Sequence, residues 1–136
     1  MASTSQDGLV SNGARWGGRI LSGLPVLLML VTGSFGLFSP AAAAVGFAKY
    51  GYPAGALQPI IITEIFCVVL YVIPRTSFLG AILLTGYLGG ATATHVRVSE
   101  TLAVFPIIVG IMVWAGLYLR DARLRALVPL RRPATE

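Results

Sequence analysis

Charge is scarce in this chain. Only 11% of its 136 residues are Asp, Glu, Lys or Arg, while 56% are hydrophobic. A soluble domain carries roughly a quarter charged residues. A deficit of this size, with the apolar residues gathered in blocks, argues against a soluble globular fold and for a membrane-embedded one. Cysteine is nearly absent too. The single Cys67 leaves no CxxC and no internal disulfide. One histidine, His95, without clustered carboxylates offers too few ligands for a metal, so no metal site is expected. There is no Walker loop, no GxGxxG between a strand and a helix, and no nucleophile elbow. The polar, Ser/Gly/Asn-rich stretch 1–14 lacks a short apolar core followed by a small-residue cleavage site. It therefore reads as a disordered tail rather than a removed signal peptide.

Long apolar runs are what the chain does have. Crossing a bilayer takes about 20 apolar residues, and four stretches are long enough: about 18–38, 54–73, 77–96 and 102–119. Ser39-Pro40, Tyr52-Pro53, Pro74-Arg75 and the turn from Arg97 to Thr101 separate them. Proline disfavours helix in the residue before it, so these are sensible ends. The expected fold is all-α: an antiparallel four-helix membrane bundle over 15–126, followed by a basic tail at 127–136. A short interfacial helix is expected around Ala41 to Tyr50. With four spans both termini share one side. That side would hold Arg15, Arg19, Arg75, Arg120, Arg123, Arg125, Arg131 and Arg132, against Lys49 and Arg97 on the other. This asymmetry predicts cytoplasmic termini and a multi-pass protein of the cell (inner) membrane. The net charge of +5 is explained by this flanking placement, so no nucleic-acid partner is expected. The basic segment after the last span is suited to anionic lipid.

Glu64 lies in the middle of the second run. A charge at the bilayer centre costs from roughly 2.5 to more than 10 kcal/mol, so such residues face inward and mark function by default. Leu57, Ile60, Glu64, Cys67 and Tyr71 follow steps of three and four, which puts them on one helix face. Thr85 and Tyr87 fall at a similar depth on the third helix, where either hydroxyl could donate to the carboxylate. His95 is roughly 13 Å further along, near Arg97 at the outer mouth, too far for direct contact with Glu64. Gly86, Gly89, Gly90 and Ala93 make small-xxx-small spacings that predict close helix packing there. Pro25, Pro59 and Pro106 are expected in the first or second turns of their helices, and Trp114 and Tyr118 as interface anchors. The candidate catalytic residues are Glu64, Tyr87 and His95. The candidate ligand-binding set is Glu64, Cys67, Tyr71, Thr85, Tyr87, His95 and Arg97.

The stretch YVIPRTSFLGAILLTGYLGGATATHVR from Tyr71 to Arg97 resembles the bacterial DoxX-like family of small four-helix membrane proteins. So do Arg19 to Gly23, Gly51-Tyr52-Pro53, Glu64, and LYLRDARLRALVPLRR from Leu117. The likeness runs from Arg19 to Arg132, and Glu64, Tyr87, His95 and Arg97 match family-typical positions. Relatives often carry an acidic residue and a lysine late in the first helix, where this chain has Thr32 and Gly36. The resemblance implies a distant relation to the DoxD/DoxX subunits of thiosulfate:quinone oxidoreductase. It therefore implies a membrane subunit or anchor associated with quinone- or thiol-linked redox chemistry. No residue holds haem, flavin or metal by a recognised motif, so any redox centre would come from a partner subunit or a bound quinone, and a bound quinone or lipid is the expected small-molecule occupant. The residues alone leave open a second reading. This is a membrane enzyme of isomerase or hydrolase type, acting on a small lipophilic substrate with Glu64 as general acid or base. Transport, which would need a homo-oligomer to supply more helices, ranks last.

Overall fold

The computed structural model describes residues 11–127. Helix α1 covers Asn12–Phe38, α2 Pro40–Lys49, α3 Leu57–Val72, α4 Ser77–Arg97, α5 Val104–Arg120 and α6 Ala122–Leu127, with no strand among the described residues. Single 3-10 turns, Ala54–Ala56 and Thr101–Ala103, lead into α3 and α5. The four spans are therefore Asn12–Phe38, Ala54–Val72, Ser77–Arg97 and Thr101–Arg120, each long and apolar enough to cross a bilayer.

The first helix starts earlier than expected. Ser11 caps it, its hydroxyl accepting from the Ala14 amide at 3.2 Å, so Asn12 to Ala14 are helical rather than part of a tail. This early start also moves Pro25 into the interior of α1, where proline removes the amide that would bond to Leu21 one turn back. Leu127, expected to begin the basic tail, is the last residue of α6. The rest of both expected tails lies outside the described residues.

The four long helices form a ring. Helix α1 packs against α3 and α5, and α4 packs against the same two. The contacts run in opposite chain order: Gly36 meets Ile61, Gly33 meets Ile65, and Ser22 meets Tyr71. The outside of the ring is apolar, with Ile62, Phe66, Ile107 and Ile111 all exposed. The inside holds the polar side chains Ser22 and Glu64, at 4% and 6% exposure. In water an apolar exterior of this extent would aggregate. In lipid it is the expected surface, because there is no hydrophobic gain in hiding it.

Association in lipid depends instead on close backbone approach, and three glycines provide it. A Cβ at Gly80 would overlap the backbone of Tyr71, one at Gly116 would overlap Ser22, and one at Gly18 would sit 2.9 Å from the Gly116 carbonyl oxygen. The expectation placed this packing at Gly86, Gly89 and Gly90, and that is incorrect. Nothing lies within 4 Å of a Cβ at any of those three, because they face outward from α4. Gly80→Leu is therefore expected to abolish or severely weaken the fold, since even Gly80→Ala forces backbone apart at a cost of about 1–3 kcal/mol. Gly90→Leu should leave thermal unfolding in mild detergent almost unchanged. Equal melting temperatures for the two leucine variants would refute this assignment of the helix interfaces.

Candidate functional site

Polar side chains inside the bundle gather at three levels. The middle level is built around Glu64, carried on the buried stripe of α3 with Leu57, Ile61, Cys67, Val68 and Tyr71. Its Oε1 accepts from the Thr32 hydroxyl on α1 at 2.9 Å. Tyr87, half-buried on α4, is its second polar neighbour. Gly33 on α1 faces this group, a Cβ there lying in ordinary contact, 3.6 Å, with Glu64 Oε2. Three helices thus converge on one carboxylate.

Of the two hydroxyls expected beside Glu64, Tyr87 is there and Thr85 is not. Thr85 donates to the Ala81 carbonyl and accepts from Trp114 Nε1, both at 2.8 Å. It therefore belongs to the α4–α5 seam, and Trp114, expected as an interface anchor, is its partner. Sequence reasoning had noted Thr32 only as a departure from relatives. Met29 O, 3.0 Å from the same hydroxyl, competes for its one proton; that is the local bond any helical threonine can make, so nothing local marks Thr32 as a partner for Glu64.

Tyr71 belongs to a second level, nearer the ends of α3 and α5. It is fully buried. Its hydroxyl donates to Val113 O at 2.8 Å, which leaves the Ser22 hydroxyl, also at 2.8 Å, to donate to it. The Arg120 guanidinium sits 4.9 Å from the ring centroid and donates to Tyr71 O at 3.3 Å. Cys67 is 3% exposed and packs in the apolar core with Tyr71, Met29 and Leu84. Both side chains are shut inside the helix packing.

His95 and Arg97 lie at the third level, at the opposite end, and they fasten α2 to the rest. Glu100 accepts from Lys49 and, at 2.9 Å, from the Tyr50 hydroxyl. His95 Nδ1 lies 3.0 Å from Oε2, the oxygen that also accepts from Tyr50, while Lys49 is on Oε1. Arg97 donates to Tyr50 O and lies 5.9 Å from the Tyr52 ring, whose hydroxyl pairs with Thr94 at 2.7 Å. Ala43 of α2 packs on Leu57 and Ile61 of α3, so α2 rests one helical turn from Glu64. His95 pairs with Glu100, not with Glu64, as the depth argument required.

A groove of about 590 Å³ opens between α4 and α5, lined by Leu88, Gly89, Thr92 and Gly110 around the Thr85–Trp114 pair. Glu64 is not among its lining residues.

The hydrogen bond from Lys49, followed by those from His95 and Tyr50, holds the Glu100 carboxyl down at about 2. The same partner pushes the Lys49 ammonium up. Because the folded value of Glu100 is depressed, its contribution is fully present above the ordinary glutamate range near about 4.3. It is lost as pH falls from there through about 2. The melting-temperature gap between wild type and Glu100→Gln is therefore expected to be open at about pH 5 and to close toward about pH 2. A gap that stays open at the acid end would show that the ion pair does not hold α2.

Neither the curated proteins nor the solved structures contain a match to this chain. The family comparison is positive. The DoxX-like family profile matches residues 20–116, which takes in α2, α3 and α4 complete, most of α1 and α5, and every residue of the Glu64 level. With four spans of the required length and an apolar exterior around a buried carboxylate, the chain is a multi-pass membrane protein and belongs to the DoxX-like family.

Proposed function

We propose that this protein is an inner-membrane subunit of quinone-linked redox chemistry. It would hold a quinone drawn from the bilayer between α4 and α5 and dock to a partner subunit that carries the electron-transfer centre. The groove carries this reading. It is largely apolar and about 590 Å³, within the range of lipophilic ligand sites, and the side chains in its lining that carry a polar atom are Thr85, Thr92, Trp114 and Tyr118. The two threonine hydroxyls donate to carbonyls one turn back, Ala81 and Leu88. Such bonds are weak and local, so either proton can turn to a ligand carbonyl at little cost. The resemblance to subunits of thiosulfate:quinone oxidoreductase supports the same chemistry. The thiol branch has less support, because Cys67 is buried and is the only cysteine.

Gly89 gives a clean test. A side chain there meets nothing within 4 Å and would enter the groove. Quinone should appear in lipid extracts of the purified wild-type protein. Gly89→Phe should lower its amount about tenfold, a change of about 1.4 kcal/mol, with an unchanged melting temperature. A wild-type extract without quinone, or a variant that retains as much, would sink the reading.

The Glu64 level supports a second reading as an acid/base enzyme. A buried carboxylate flanked by hydroxyls from two other helices can exchange a proton with a lipophilic carbonyl or epoxide while Tyr87 orients its oxygen. Glu64→Gln keeps volume and most hydrogen bonding but not proton exchange. It should abolish turnover of such substrates and leave the fold nearly intact. If Glu64→Gln instead unfolds in mild detergent as readily as Gly80→Leu, the carboxylate is structural and this reading ends.

A further inference from the structure

Two arginines lie where the α3–α4 turn meets α6. Arg75 and Arg123 line one cavity of about 530 Å³, together with Ser77 and Asp121 and with the apolar side chains of Phe78 and Leu127. Their situation differs from that of the chain's other described arginines. Arg19 lies 5.3 Å from the Trp16 ring centroid. Arg97 is bound to Tyr50 O, Arg120 to Tyr71 O, and Arg125 to the carbonyls of Tyr118 and Leu119, each at 2.8 Å. Arg15 is engaged as well. Among the described residues, the guanidinium groups of Arg75 and Arg123 have no hydrogen-bond, ion-pair or ring partner.

The local fold holds this pair in place. Arg125 clamps α6 back onto the end of α5. Asp121 accepts from the Arg123 amide at 2.8 Å, which orders the first turn of α6. The Ser77 hydroxyl donates to Pro74 O at 3.2 Å, closing the tight turn that carries Arg75. Two cations and one carboxylate give the lining a formal charge of +1, matched by a singly charged phosphodiester. Guanidinium forks suit phosphate geometry. Phe78 and Leu127 border the same cavity and offer apolar surface to whatever the phosphate is attached to. The cavity sits at the start of the α4 span and past the end of the α5 span, at the depth of lipid headgroups.

We propose that this cavity is a binding site for an anionic phospholipid, with Arg75 and Arg123 gripping the phosphodiester and Phe78 and Leu127 bordering the first part of the acyl chains. The site does not depend on the quinone groove or on Glu64. It is separate from general attraction of basic segments to the membrane surface, because it requires two particular arginines rather than the net charge of that end.

The test is native mass spectrometry of the full chain, purified from nanodiscs containing phosphatidylglycerol and phosphatidylcholine. Wild type, Arg75→Gln/Arg123→Gln and Arg19→Gln are compared. Arg19 is the control for charge alone, since its neighbour Gly18 packs against Arg120 at this same end. Wild type should retain phosphatidylglycerol in preference to phosphatidylcholine. Each arginine removed from the cavity should lower retention roughly fivefold, while Arg19→Gln retains as much as wild type. Arg75→Lys/Arg123→Lys, which keeps charge without the fork, should fall between. No headgroup preference in wild type overturns the proposal whatever the variants do. So does an equal loss in Arg19→Gln and the double glutamine variant. Inorganic phosphate is the third arm. If phosphate alone raises the melting temperature as far as the lipid does, and does so through the same arginines, the ligand is a free anion and the lipid assignment is overturned.

Discussion

A carboxylate in the middle of a membrane bundle has to be answered by other side chains, and the arrangement of α1, α3 and α4 follows from that requirement. Leaving Glu64 toward lipid would cost several kcal/mol. Instead α3 turns its polar stripe inward. Helix α1 then comes close enough, across Gly33, for Thr32 to reach the carboxylate, and α4 brings Tyr87 from the other side. Contacts of this kind contribute only about 0.5–3 kcal/mol each. Their larger effect is to fix which helix faces which, because only one rotation of each helix satisfies the group.

The other two levels use the same device at the ends of the bundle. Tyr71 reaches across the ring from α3 to the backbone of α5 and takes Ser22 from α1 on the way. Glu100 collects partners from the end of α2 and from α4. Between these levels the packing is apolar, and at Gly18, Gly80 and Gly116 the backbones approach too closely for a side chain. Polar matching selects the arrangement and glycine contacts tighten it.

The spans were legible because each is a long apolar run broken by proline or a charged turn, so a single helix carries the whole signal. The inward face of α3 was legible for the same reason: Leu57, Glu64, Cys67 and Tyr71 repeat at helical spacing on one segment. Properties that belong to pairs of helices were not. Gly86, Gly89 and Gly90 have the spacing of a packing motif, yet they point outward, while Gly80 and Gly116 each match an approach by another helix whose phase is not written in their own segment. Depth along the helix suggests Thr85 as a donor to Glu64, and Thr32 is the threonine that reaches it. Both are threonines in apolar helices that bond their own backbone, and only the rotation of α1 and α4 decides which of them meets Glu64. The start of α1 was missed because a polar opening conceals the Ser11 cap.

The Glu100 cluster also sets an order in time. Lys49 and Tyr50 are made 51 and 50 residues before the carboxylate that holds them. At a synthesis rate of about 5–20 residues per second, they wait roughly 3–10 s for it. Helix α2 leaves the ribosome before that carboxylate exists, and until α4 and the turn after it have been delivered only its packing on α1 and α3 holds it. Its docking therefore closes that end of the bundle late in assembly. A chain that stalls between α3 and α4 would present Lys49 and Tyr50 without Glu100, a difference by which quality control could tell an unfinished bundle from a complete one.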